Sequence, residues 1–328
     1  MANNENRKKL NLSWRILLTP EVGVLIPILV LVIFTTIMNP SFLTRRYISS
    51  ILIGSVFIGV CSLGEALVIM SGEIDLSVGF SGSLSGIMMG KAAMTWGLPA
   101  FPCVFIGIAT GMLVGLINGL MVSRLKLSSW ITTIATQFIC QGLLTTIAQG
   151  NPQSIQSLNL SWLAQNRPLG LSWLLFILIA IIIIMDQVVR RSKFGFQLRA
   201  TGGNREAAEM AGIDIRNIKL MAFVLAGLFA ALGGMFDTLN MGTASENFGA
   251  GREFRAITCC AIGGISLAGG EGSIYGVGLG VVLFHTLWYC LRILNVNTNM
   301  QLVLIGMILI LSVLLDFQRK RIEARKTV

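Results

Sequence analysis

Apolar residues in this chain come in long runs broken by short polar stretches. Neither a two-residue nor a 3.6-residue alternation dominates, so most elements are apolar all round. A helix needs about 20 mostly apolar residues to cross a bilayer. Ten segments approach that requirement: 22–38, 48–71, 76–96, 101–122, 130–149, 170–189, 218–241, 256–270, 274–293 and 299–317. The pattern predicts an all-α polytopic membrane protein of about ten transmembrane helices, forming a single transmembrane domain over 1–328. The run at 256–270 is short and glycine-rich. It reads as a partial or broken span, tolerated only where protein buries it or water lines it.

Charge orients these spans. With the N-terminus inside, eighteen of the 25 Lys and Arg fall in the inner segments. Arg7, Lys8, Lys9 and Arg15 lead; Arg124 and Lys126 follow; then come Arg190, Arg191, Lys193, Arg199, Arg205, Arg216 and Lys219, and Arg319, Lys320, Arg321, Arg325 and Lys326 at the end. The outer loops hold Arg45, Arg46, Arg167, Arg252 and Arg255. This bias places both termini in the cytoplasm. The first apolar run lacks a small-residue cleavage site and is expected to remain as an anchor. Only 12% of residues are charged and 54% are hydrophobic, so the lipid bilayer is the expected solvent. The net charge of +10 is spread over loops and ends as topology and forms no nucleic-acid face. All six cysteines sit in apolar stretches without metal-ligand spacing and are expected to be buried hydrophobes. No metal site, phosphate-binding GxxxxGK[ST] or catalytic constellation is visible, so no cofactor is expected on this chain.

Two polar stretches interrupt the pattern with ordered chemistry. Gly72-Glu73-Ile74-Asp75-Leu76-Ser77-Val78-Gly79 places two acids in the turn between the second and third spans. Acids at that depth usually face protein or water and have a task. Asp75 can alternatively be a helix cap through the Ser77 and Val78 amides, with Glu73 a solvated loop acid. The second stretch runs from Arg199 to Asp214. Asn204 is a good N-cap, Glu206 to Ala211 favour helix, and Gly212 is a natural stop. A helix of about two turns along the membrane face is predicted there, either a packed connector or a docking knob. Residues 64–79 also echo 263–278 in their glycine placement.

These stretches resemble known motifs. Glu206-Ala207-Ala208 followed by Gly212 is similar to the EAA-x-x-x-G loop of permease subunits of binding-protein-dependent ABC importers. Gly72 to Gly79 resembles the GGIDLSVG turn of the ribose-type sugar permeases in that class. Ala261 to Ser273 resembles their late IGGTSLxGGxGS segment. Glu73 departs from a glycine of that pattern and Ile265 from a threonine. Ser129 to Gln137 is similar to the run P-F-I-x-T-L-G-T-M but lacks its proline and glycine.

The resemblance implies an importer subunit without its own ATPase site. Its expected partners are two cytoplasmic ATPase subunits holding ATP and Mg, an extracytoplasmic solute-binding protein, and a second permease, identical or related. Asn204, Arg205, Glu206, Ala207, Ala208, Gly212 and Asp214 would then form the coupling helix and its flanks. Gly72, Glu73, Asp75, Ser77, Gly79, Gly269, Gly270 and Gly272 would shape turns with a structural or gating role.

Asn118, Thr132, Thr133, Gln137 and Gln141 are candidates for a solute path, interhelical hydrogen bonding being the alternative. Glu65 and Asp237 are intramembrane acids that line a cavity or meet a partner charge such as Lys91 or Arg292. His285 is expected to be a packed histidine bonded to backbone. The function expected is inward passage of a monosaccharide or similar polyhydroxylated solute across the bacterial cytoplasmic membrane. A nucleoside or signal-molecule permease is a variant of it, and an ion-coupled secondary transporter a rival of another class.

Overall fold

The structure is a computed structural model that describes residues 20–160, 162–246 and 249–326. Arg7, Lys8, Lys9 and Arg15 lie outside the described residues, as do the side chains of the basic cluster from Arg319 to Lys326. Among the described residues, twelve helices carry the fold, apart from a single turn at Trp162–Gln165. They are α1 (Pro20–Met38), α2 (Arg45–Met70), α3 (Val78–Met94), α4 (Ala100–Ser123), α5 (Ser129–Ala148), α6 (Trp173–Arg191), α7 (Lys193–Gly203), α8 (Arg205–Met210), α9 (Ile215–Met241), α10 (Arg252–Ile262), α11 (Ile274–Ile293) and α12 (Thr298–Lys326). Six of them, α2, α4, α5, α6, α9 and α11, are long and apolar enough to cross a membrane. Shorter apolar stretches occupy Val24–Met38 and Thr298–Leu311.

Helix α9 is the hub, packed against α2, α3 and α4. Lipid tails are as apolar as leucine, so close backbone approach must supply the attraction between such helices. Gly107, Gly111, Gly115 and Gly119 recur every four residues along α4 and give that approach. A methyl group at Gly111 would stand 2.6 Å from the Ala231 Cβ of α9. Helix α3 meets α9 in the same way, with Gly82 against the Ala230 carbonyl. The buried core runs through α2, α3 and α9, including Leu63, Leu67, Met70, Ile87 and Phe223.

Two expected elements differ. The run at 256–270 is not one helix: α10 ends at Ile262 and residues 263–273 are non-helical. Gly264, Gly269 and Gly270 there take φ of +84°, +90° and +81°, a region costing other residues roughly 1–2 kcal/mol. The 190–217 segment holds two helices rather than one. The additional one, α7, starts where the Ser192 hydroxyl accepts from the Gly195 amide at 3.1 Å. The polar 150–169 loop is also anchored. Gln153 and Ser154 pair antiparallel with Ala244 and Thr243, and Ile155 and Leu158 are buried.

Candidate functional site

The short helix α8 has the six-residue length that the sequence predicts and begins one residue earlier, at Arg205. The Asn204 Oδ1 accepts from the Ala207 amide at 3.0 Å. At the other end Gly212 takes φ +77°, its amide donates to Glu209 O, and the Ile213 amide reaches back to Ala208 O. That pair of bonds is a Schellman ending. Ala208 is buried, while Glu206, Ala207, Met210 and Ala211 are exposed. The outward surface is thus small and apolar beside one acid. Arg205 pairs with Glu209 at 3.3 Å on the solvent side. Asp214 caps α9, accepting from the Asn217 amide at 3.2 Å. Arg124, after α4, donates to the Asn217 side chain at 2.6 Å. A charged groove of about 420 Å³ runs alongside, lined by Glu73, Lys126, Arg205, Glu209, Asp214, Arg216 and Lys219.

The three motif segments, far apart in sequence, meet behind α8. Gly270 N donates to the Met70 carbonyl at 3.0 Å. Gly202, at the end of α7, lies against both: a methyl there would run into the Met70 carbonyl and stand 2.7 Å from Gly270 N. Gly72 takes φ +83° and faces Gly202 and Gly269. No side chain fits between the backbones at 202, 269 and 270, the local reason for glycine there, while Gly72, where a methyl would make only ordinary contact, is set by its positive φ. Gly272, at φ +152°, packs against Ile265. Of the two stretches that echo one another, 64–79 is the end of a helix, a tight turn and the start of a second helix, whereas 263–278 is a non-helical run leading into α11; their turns touch here.

Glu73 is not a solvated loop acid. It forms an ion pair with Lys219 of α9, with side chains only 17% and 11% exposed. The turn is thereby tied to the helix that follows α8. Asp75 is 2% exposed. Its Oδ1 accepts from the Ser77 amide at 2.8 Å and from the Ser77 hydroxyl at 2.6 Å, the first of the two amides expected for it. Its own amide donates to Glu65 Oε1 at 3.1 Å.

The chain of bonds continues inward. Asn118 Nδ2 donates to Ser77 Oγ at 2.9 Å, and Thr136 Oγ1 donates to Asn118 Oδ1 at 2.6 Å. One buried polar line therefore joins α2, the turn, α4 and α5. Gly79, in the first turn of α3, packs against the Gly249 carbonyl and Glu253.

The remaining candidates separate into two groups. Asn118, Thr132 and Thr133 are buried within the chain, and the Thr133 hydroxyl donates to Ser129 O. Gln137 is half-buried and Gln141 exposed on α5. Thr145, also exposed, extends that face by another four residues; its spacing from Gln141 could have revealed it. Gln137 donates to Glu253 Oε1 of α10 at 3.3 Å. Glu253 carried no sequence signal, because only the fold brings α10 against α5. Asp237 meets Arg252 at 2.9 Å, rather than Lys91 or Arg292. His285 bonds to the backbone of Gly54. The six cysteines are free and buried.

Residues 47–313 match the model of a family described as "branched-chain amino acid transport system / permease component". The chain belongs to this permease family. Several curated members are similar over nearly their whole length. The ribose import permease protein of Bacillus subtilis is 33% identical over 90% of this chain and 92% of its own. The L-arabinose ABC transporter permease protein of Azospirillum brasilense is 32% identical over 91% and 88%. The galactose/methyl galactoside import permease protein of Escherichia coli is 31% identical over 90% and 94%. As a member of the family, the chain is a multi-pass membrane permease. The matched region contains the signature turn, α8 and the late glycine turn, so the converging motifs lie within what the relatives share.

Proposed function

We propose that this permease is the membrane-spanning subunit of an ABC importer that carries a monosaccharide inward by alternating access. The relatives named for ribose, arabinose and galactose support the solute class. The observation that carries the mechanism is α8: an exposed, capped helix of six residues, set against the glycine contact of Met70, Gly202 and Gly270. A helix so mounted passes an applied push to the spanning helices as rigid-body motion.

In this reading the chain crosses the bacterial cytoplasmic membrane ten times, α3 and α10 being the short crossings, with both termini inside. Two ATPase subunits, holding ATP and Mg, seat α8 through Glu206, Ala207, Met210 and Ala211. The solute passes beside the Gln137, Gln141 and Thr145 face, against a second permease copy, after delivery by an extracytoplasmic binding protein. Polar side chains on that face suit a solute that must both enter and leave.

Two measurements test the proposal. Tagged chain purified from native membranes in mild detergent should bring a stoichiometric ATPase with it, and Glu206→Lys should release that ATPase while the chain still inserts. A chain that purifies alone and drives ion-dependent flux in liposomes would overturn the reading. Cells expressing the complete transporter should accumulate labelled ribose, arabinose or galactose. Accumulation of leucine alone would instead favour the solute in the family's description.

A further inference from the structure

At the end of the bundle opposite α8, a separate cavity of about 230 Å³ lies among α2, α9, α10 and α11. Asp237, Asn240, Arg252, Arg255, His285 and Arg292 line it. Charged groups at such depth are expensive and mark function by default. Arg252 is accounted for: it pairs with Asp237 at 2.9 Å and lies 3.9 Å from the Phe57 ring centroid.

Arg255 and Arg292 are not matched in this way. Among the described residues, neither has a carboxylate at ion-pair distance. The Arg255 guanidinium lies over the Trp288 ring at 4.5 Å, and its Nε–H is buried with no acceptor. The other acid on α10, Glu253, stands beyond ion-pair distance of Arg255 and accepts from the neutral Gln137 amide of α5. His285 adds a second orphan. It bonds to the Gly54 backbone while its Nε2 is buried without a partner. The Gly54 bond therefore runs through Nδ1, which donates to the carbonyl and leaves Nε2 as an acceptor.

The cavity is thus lined by three guanidinium groups against one carboxylate, Asp237, whose Oδ2 is held by Arg252, and it offers an orphan donor on Arg255 and an orphan acceptor on His285. A neutral polyol would satisfy the two orphans but leave the guanidinium charge unbalanced, the costlier of the two defects. A plain carboxylate would balance the charge but bring no proton to His285 Nε2. A phosphate group with a hydroxyl supplies both. We propose that this cavity is an anion site holding a phosphate that carries or adjoins an O–H. An ionised oxygen accepts from Arg255 Nε–H and balances Arg255 and Arg292, and the hydroxyl donates to His285 Nε2. Hydrogen phosphate from solution and the headgroup of phosphatidylglycerol both have this chemistry.

The full chain in nanodiscs distinguishes them by thermal unfolding. In discs of phosphatidylcholine alone, added inorganic phosphate should raise the midpoint by roughly 5 °C if the source is soluble. If the source is lipid, building phosphatidylglycerol into the disc should give the rise instead. Arg255→Gln should abolish whichever rise is seen. Arg292→Gln, at the exposed rim, should reduce it at least severalfold and decides alone if the first variant does not fold. No rise in either arm overturns the proposal, and so does a rise that the folded variants retain in full.

Discussion

Gly202 and Gly212 are ten residues apart, and the structure asks different things of them. Gly202 needs the absence of a side chain, since the Met70 carbonyl and Gly270 N fill the space a methyl would take. Gly212 needs only its positive φ, because nothing lies within 4 Å of a Cβ placed there. Gly212→Ala should therefore cost about 1–2 kcal/mol of local strain and leave transport measurable. Gly202→Ala should separate the three turns and abolish uptake with the chain still inserted. Equal uptake by the two variants would show that the glycine contact is not in the coupling route. Asn118 supports a second prediction. Asn118→Leu removes a buried amide from both of its partners, yet Thr136 retains the Thr132 carbonyl at 3.0 Å and Ser77 retains Asp75. The expected loss is about 1–3 kcal/mol, read from the unfolding midpoint of the reconstituted chain. An unchanged midpoint would mean that the line from Asp75 to Thr136 does not stabilise the fold.

Among the elements, α5 differs from its neighbours. It is the least apolar of the six long apolar helices, because threonines and glutamines interrupt it. Thr132, Thr133 and Thr136 turn inward, where the Thr133 hydroxyl donates to Ser129 O and the Thr136 hydroxyl to Asn118 Oδ1. Gln141, Thr145 and Thr146 turn outward. An outward polar stripe on a spanning helix is disfavoured against lipid and suits a partner helix or a watered path. Replacing Gln141 and Thr145 together by leucine should leave expression and thermal stability unchanged and lower sugar uptake at least tenfold. Unimpaired uptake would assign this face to lipid.

For the whole molecule, the order of helices sets α8 and the signature turn at one end and the 150–169 loop at the other. The proposed orientation, which rests on the charge bias, has the α8 end inside. Because the six native cysteines are all buried, an introduced thiol can be labelled with little background. A membrane-impermeant maleimide on intact cells should label Asn159→Cys and spare Asn204→Cys. The reverse pattern would invert the orientation and with it the docking role of α8.

The sequence by itself determined the class of fold, six long spans to within about three residues at each end, and the capped helix at Asn204 to Gly212. Those features are local: helix length, hydropathy and caps depend on neighbours along the chain. It also pointed to the three glycine motifs, though it did not bring them together. Only the tertiary structure decided that Met70, Gly202 and Gly270 touch, that Glu73 is paired with Lys219, that Asp237 meets Arg252, and that Arg255 and His285 share a cavity. Each of these contacts joins residues far apart in the chain, so no periodicity records them. The break after Ile262 belongs to the same group, since a glycine-rich apolar run can continue a helix or leave it. The backbones packed against Gly269 and Gly270 select the open turn.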